Sequence, residues 1–138
     1  MYVYAMKIDC MPVKNKMKLT DLISSNFPSK SFQTSNLNDY TYAIVSQLDC
    51  QYVGCCLMKE RVDGWVLDSL CVKKHHRNKQ IGSEILEFAT NMADGKSISL
   101  YVDKGDNENR LQSFYEKRNY TLSTENAVEK MFVRSNAK

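Results

Sequence analysis

Between residues 65 and 102 the chain changes its hydrophobic period twice, and few folds accommodate that change. Residues 65–72 alternate with the two-residue period of a strand, placing Val66, Asp68, Leu70 and Val72 on one face and Leu67, Ser69 and Cys71 on the other. A basic, polar stretch follows, Lys73-Lys74-His75-His76-Arg77-Asn78-Lys79-Gln80. Ile81, Ile85, Phe88, Ala89 and Met92 then trace one helical face, with Leu86 beside it, and Gly95 suits the stop. Residues 97–102 return to strand alternation through Ile98, Leu100 and Val102. Strand, helix and strand at this spacing predict a right-handed crossover joining a parallel pair. The loop Arg77-Asn78-Lys79-Gln80-Ile81-Gly82-Ser83 opens the helix. It therefore gathers unpaired backbone N–H groups at the positive end of a helix dipole, which makes a site for phosphate.

The flanking segments complete an α+β pattern. Residues 2–10 read as a strand, and residues 18–26 carry Leu19, Leu22 and Ile23 at helical spacing, ending near Pro28. Residues 29–39 are polar and turn-rich, with room for one more helical turn. Residues 40–47 and 52–60 are rich in β-branched and aromatic side chains and are joined by Leu48-Asp49-Cys50-Gln51. Val62-Asp63-Gly64 turns the chain into the strand at 65–72, so an antiparallel meander leads into the parallel pair. Residues 107–118 form a second helix bearing Leu111, Phe114 and Tyr115, with Asn119 where a left-handed stop is needed. A last strand is predicted over 127–133, and helices cover both faces of the sheet. Asp68 is a local conflict, an acid on an otherwise apolar strand face, and such conflicts cluster at working sites.

Composition narrows the function classes. A chain of 138 residues is the size of one domain with one core, residues 1–138. The net charge of +3 is too mild to define a nucleic-acid binder by itself. The longest apolar runs fall far short of the ~20 residues that span a bilayer, and the start lacks the order of a secretory signal. Five cysteines, an odd number, fit reduced cytosolic thiols better than a disulfide framework, so a cytoplasmic location is expected. They lack the paired spacing of a zinc site, and no metal is expected. Cys55 and Cys56 are neighbours on a strand and point to opposite sides. His75-His76 has no paired acid or Cys nearby in sequence, which favours solvent-facing side chains.

On these motifs the chain resembles the GNAT superfamily of N-acetyltransferases. That family's loop reads Arg/Gln-x-x-Gly-x-Gly/Ala at the start of the central helix; Arg77, Ile81, Gly82 and Ser83 match, as does Val72 five residues upstream. Gln80 departs from the pattern by standing at the first glycine. Its Cβ restricts backbone approach to a diphosphate and excludes conformations that only Gly tolerates. Val53-Gly54 resembles the apolar-Gly pair of the family's third strand. Phe114-Tyr115-Glu116-Lys117-Arg118-Asn119-Tyr120 is similar to the family's Leu-Tyr-Glu-Lys-x-Gly-Phe signature. Where the family places an Asn before the Tyr, this chain has Glu108 between Asn107 and Asn109, so a pantetheine contact falls to either neighbour.

The resemblance implies the acyl-CoA N-acyltransferase fold, acetyl-CoA as co-substrate, an amine acceptor and, as in many small members, a homodimer. It implies that residues 77–83 hold the diphosphate: Arg77, Asn78, Lys79, Gln80, Ile81, Gly82 and Ser83. Backbone N–H groups near Leu70, Cys71 and Val72 would face the thioester oxygen where the fourth and fifth strands splay, and a bulge there would free them. An acceptor amine with a pKa near ~10.4 must lose a proton before attack. Asp68 is the candidate base, against a role in binding a substrate ammonium. Tyr115 is the candidate acid for the leaving thiolate, against a role as a core-edge aromatic. Direct transfer needs no Ser, Cys or Lys acyl carrier. Two rival readings stand beside this one: a catalytically idle CoA-binding module, suggested by Gln80, and a nucleic-acid binder using residues 73–79, which lack interleaved aromatics.

Overall fold

The computed structural model describes residues 1–134. In chain order these form β1 (Tyr2–Lys7), α1 (Val13–Asn26), β2 (Tyr42–Leu48), β3 (Gln51–Arg61), β4 (Gly64–Val72), α2 (Ile81–Ala93), β5 (Ser97–Asp103), α3 (Glu108–Glu116), β6 (Thr121–Glu125) and β7 (Glu129–Arg134). One seven-stranded sheet runs β1-β2-β3-β4-β5-β7-β6. Its β4–β5 pair is parallel, and the other neighbours are antiparallel.

The sheet carries a core on each face. On one, α1 buries Leu19, Leu22 and Ile23 against Ala43, Cys55 and Leu57. On the other, α2 buries Ile81, Ile85, Leu86 and Ala89 against Ile44, Cys56 and Met58, and α3 adds Tyr115. Cys55 and Cys56 thus point to opposite faces, as the two-residue period requires. At the end of α2, Asp94 and Gly95 both take left-handed backbone, at φ 51° and 83°. Asn119, at φ 70°, makes the left-handed stop after α3.

Several boundaries differ from the sequence reading, each for a local reason. β1 ends at Lys7. Ile8–Cys10 curls into a 3₁₀ turn, with the Ile8 N–H donating to the Thr41 carbonyl and the Ile8 side chain buried. α1 begins at Val13 rather than 18, because its first turn leaves Val13 and Met17 in solvent and shows no apolar period. Residues 29–39 hold short 3₁₀ turns at Pro28–Lys30 and Thr34–Asp39. α3 is shorter than expected, Glu108–Glu116. The sequence reading missed β6, whose five residues are all exposed and so carry no alternation. It also began the last strand too early. Asn126 Oδ1 accepts from the Val128 and Glu129 N–H groups, holding 126–128 as the hairpin turn.

The most consequential correction lies in β4. Leu57 faces Asp68 and Cys55 faces Cys71, so Ser69 and Leu70 together oppose Cys56. Ser69, at φ 56°, is the left-handed residue of this bulge. The bulge breaks the strict alternation expected of residues 65–72. Leu67, Leu70 and Val72 pack on the α2 side, whereas Cys71 packs on the α1 side. Asp68 faces the α1 side with Leu57, its partner across the strands, so it does not share a face with Leu70 and Val72.

Candidate functional site

The bulge lies where β4 and β5 separate. The two strands pair from Gly64↔Ser97 to Leu67↔Leu100, after which β4 pairs only with β3 and β5 only with β7. Bulges sharpen local twist, which turns β4 away from its neighbour. A cleft of about 300 Å³ opens in the gap, lined among others by Asp68, Leu70, Asp103, Asn107, Leu111 and Tyr115. Leu70 borders it directly. Cys71 does not: its thiol points into the α1-side core, 3.7 Å from Cys55 Sγ, so only its backbone lies near the cleft.

Next along the chain is the loop that opens α2. Lys74–His76 forms a 3₁₀ turn, and Asn78 and Gln80 both take left-handed backbone, at φ 65° and 64°. Gln80 thus adopts the conformation that the sequence reading reserved for glycine, at a cost of roughly 1–2 kcal/mol for a residue with a Cβ. The first helical bond runs from the Glu84 N–H to the Gln80 carbonyl, at 3.0 Å. The Ile81, Gly82 and Ser83 N–H groups precede it and have no side-chain cap, so they point outward from the helix end. A Cβ on Gly82 would find its nearest neighbours 3.8 Å away, Phe114 Cζ and Val72 Cγ2. A methyl group at Gly82 would therefore meet only ordinary van der Waals contacts.

Charged side chains around the helix mouth divide into two sets. Lys79 is exposed, and Lys73 Nζ reaches Gln51 Oε1 at 3.2 Å. The Arg77 guanidinium is turned inward instead, donating to the Val72 carbonyl at 3.0 Å and to Asn26 Oδ1 at 2.7 Å. It ties the end of β4 to the end of α1. The cation at the first turn of α2 is Arg118, which sequence reasoning missed. Its guanidinium lies 3.9 Å from the Phe114 ring centre, donates to the Phe114 carbonyl and donates to Ser83 Oγ. The Phe-x-x-x-Arg spacing within 114–118 is the available signal for that stacking.

Tyr115 lines the cleft from α3, and its position is fixed by aromatic packing. Phe114 and Tyr120 meet its ring edge-on at 5.2 and 5.7 Å, and Phe132 lies at 6.2 Å. Burial raises the phenol pKa well above the usual tyrosine range, reinforced by Tyr120, Cys56 and Asp68. The hydroxyl is therefore a firmly held proton donor at neutral pH. Opposite it, Asp68 is exposed; Oδ2 accepts from the Tyr40 hydroxyl at 2.6 Å and Oδ1 from the Ser69 N–H at 2.7 Å. Burial and the Asp68 charge in turn raise the Tyr40 phenol. The sequence reading took Tyr40 only as the start of a strand, which begins instead at Tyr42, because nothing in the pattern links it to a residue 28 positions away.

At the start of α3, Asn107 borders the cleft and Asn109 does not. Glu108 between them is a structural acid. Oε1 accepts from the Gly105 N–H at 3.2 Å and Oε2 pairs with Lys130 Nζ at 2.9 Å, which lowers its pKa. Among the described residues no three His, Cys, Asp or Glu side chains are grouped to hold a metal ion. Among the described residues no helix is long and apolar enough to cross a membrane.

A mixed sheet splayed at its one parallel pair, with a helix mouth and a tyrosine at the opening, defines a class of acyl-transferring domains. The family model for the acetyltransferase (GNAT) domain matches residues 39–122, and the chain belongs to that family of N-acetyltransferases. No curated protein matches the sequence. Among solved structures, an acyl-CoA N-acyltransferase from Pseudomonas aeruginosa superposes with a TM-score of 0.82 at 14% identity, over 97% of this chain and 99% of that one. PaiA N-acetyltransferase from Thermoplasma acidophilum, in complex with coenzyme A, gives 0.78 at 15% identity, over 98% and 99%. Aminoglycoside 6'-N-acetyltransferase from Enterococcus faecium gives 0.78 at 16% identity, over 100% and 98%. At such identities these likenesses speak to the fold.

Proposed function

We infer that this chain, acting as one domain, transfers acetyl directly from acetyl-CoA to a primary amine. The observation that carries the reading is the gap between β4 and β5 beyond Leu67 and Leu100, lined by Tyr115 and lying beside the uncapped mouth of α2. In this reading the Ile81, Gly82 and Ser83 N–H groups hold the diphosphate, with Asn78, Lys79, Gln80 and Arg118 around it. Arg77 serves by fixing the loop. Asn107 meets the pantetheine arm.

Bound acetyl-CoA supplies the activated acyl carbon; the amine nitrogen forms the amide bond as the carbon–sulfur bond breaks. Asp68 takes the proton that the ammonium must lose, directly or through water, with Tyr40 and the Ser69 N–H holding its orientation. A backbone N–H at the β4 bulge, near Leu70, faces the carbonyl oxygen. Tyr115 gives its proton to the departing thiolate. The left-handed backbone of Gln80 supports catalysis over the idle-module reading, since the loop keeps the path that a glycine would give it.

Titration calorimetry with coenzyme A, followed by thiol-release assays with an amine panel, tests this function. Binding and amine-dependent thiol release are expected. An absence of heat at millimolar coenzyme A overturns the reading.

A further inference from the structure

The face of the cleft that receives the acceptor carries its own cation. On β5, Ile98, Leu100 and Val102 enter the α2-side core, so Ser99, Tyr101 and Asp103 face the other way, toward α1. Asp68 faces the same side from β4. By the register Leu67↔Leu100, Asp103 lies two residues beyond the position level with Asp68, an offset of about 7 Å along the strand. Lys30, from the 3₁₀ turn after α1, reaches across the opening. Its ammonium sits 3.0 Å from Asp103 Oδ2 and 5.7 Å from the centre of the Phe27 ring. A carboxylate joined to an aromatic face is a seat for an alkylammonium group.

Phe27, Lys30, Asp68, Asp103 and Tyr115 line one cavity. Tyr115 is 6% exposed and lines this cavity. The cavity therefore presents two carboxylates on one face, the Tyr115 side chain in its wall, and an ammonium already seated at the far carboxylate. Lys30 and Asp103 are 52% and 62% exposed, so water screens their bridge and it is readily exchanged.

The geometry points to an acceptor bearing two amines, a short aliphatic diamine. Its reacting nitrogen lies between Asp68 and Tyr115, and its distal ammonium replaces Lys30 on Asp103 and over Phe27. This assignment rests on the acetyl-transfer reading and adds to it the acceptor's class. A monoamine of equal length reaches the reacting position but leaves Lys30 in its seat, and so gains nothing from Asp103.

The test compares 1,4-diaminobutane with butylamine in steady-state turnover of the full chain with acetyl-CoA. The expected ratio of kcat/KM for diamine over monoamine is roughly fivefold or more, the combined scale of a screened ion pair and a cation–ring contact. Asp103→Asn brings that ratio close to one through the diamine KM, and Asp103→Glu restores it. Lys30→Met, which vacates the seat, lowers the diamine KM. Equal kcat/KM for the two amines, or a ratio that survives Asp103→Asn, overturns the assignment. Coenzyme A binding without turnover of either amine overturns the diamine alone, whereas loss of coenzyme A binding overturns the acetyl-transfer reading beneath it.

Discussion

At Gly54 the central sheet packs against Ile81 and Ile85 of α2, and Gly54→Ala tests that contact. The added methyl would lie 2.9 Å from Ile85 Cδ1, 3.1 Å from Ile81 Cγ2 and 3.3 Å from the Cys71 carbonyl oxygen. Ile85 and Ile81 are 0% and 2% exposed, so both must shift within the packed core rather than into solvent. The Cys71 carbonyl belongs to β4 and moves only with the strand. Overpacking of this kind costs about 1–3 kcal/mol. For a chain of this length that lowers Tm by roughly 4 °C per kcal/mol. Urea unfolding followed by far-UV circular dichroism gives the loss as a lower midpoint at constant slope. Ile81 opens α2, so the displacement also reaches the N–H groups of the helix mouth, and coenzyme A affinity is expected to fall with stability. Gly82→Ala is the control, because its methyl has 3.8 Å of clearance. Its stability should hold or rise with the better helix former, while its methyl enters the space before the N–H groups and weakens coenzyme A binding. A Gly54→Ala midpoint equivalent to less than about 0.5 kcal/mol of loss refutes the packing argument.

Three further outcomes are expected. Tyr115→Phe keeps the aromatic packing and removes the proton donor, so kcat should fall by about 10²–10⁴ at neutral pH with Tm little changed; full turnover would remove the tyrosine from the chemistry. Asp68→Asn should flatten the acid limb of the pH–rate profile, and an unchanged profile excludes it as the base. Glu108 has a lowered pKa in the folded chain, through its bond to Lys130 first. Its contribution to stability is therefore present above the ordinary carboxyl value of about 4.3 and lost as pH falls through the lower folded value. Glu108→Gln should lose stability at pH 7 and converge with the parent chain at strongly acid pH, as followed by Tm across a pH series; parallel curves down to pH 2 would contradict the pairing.

The local periods of the sequence determined most of the sheet, the crossover helix and the loop that opens it, because buried faces must repeat at 2 or 3.6 residues. Where a segment buries nothing, that information vanishes, as in β6 and the first turn of α1. The helical placement of Tyr115 and the start of α2 were legible because each belongs to a run of residues adjacent in the chain. Tertiary structure alone decided the rest. The Ser69 bulge sets Asp68 apart from Leu70 and Val72, the Arg77 guanidinium turns to Asn26, Tyr40 reaches Asp68, and Lys30 and Asp103 come to the cleft from separate elements. A strand's alternation can be read one residue at a time, but a bulge or a contact across tens of residues exists only once the partner strand fixes the register.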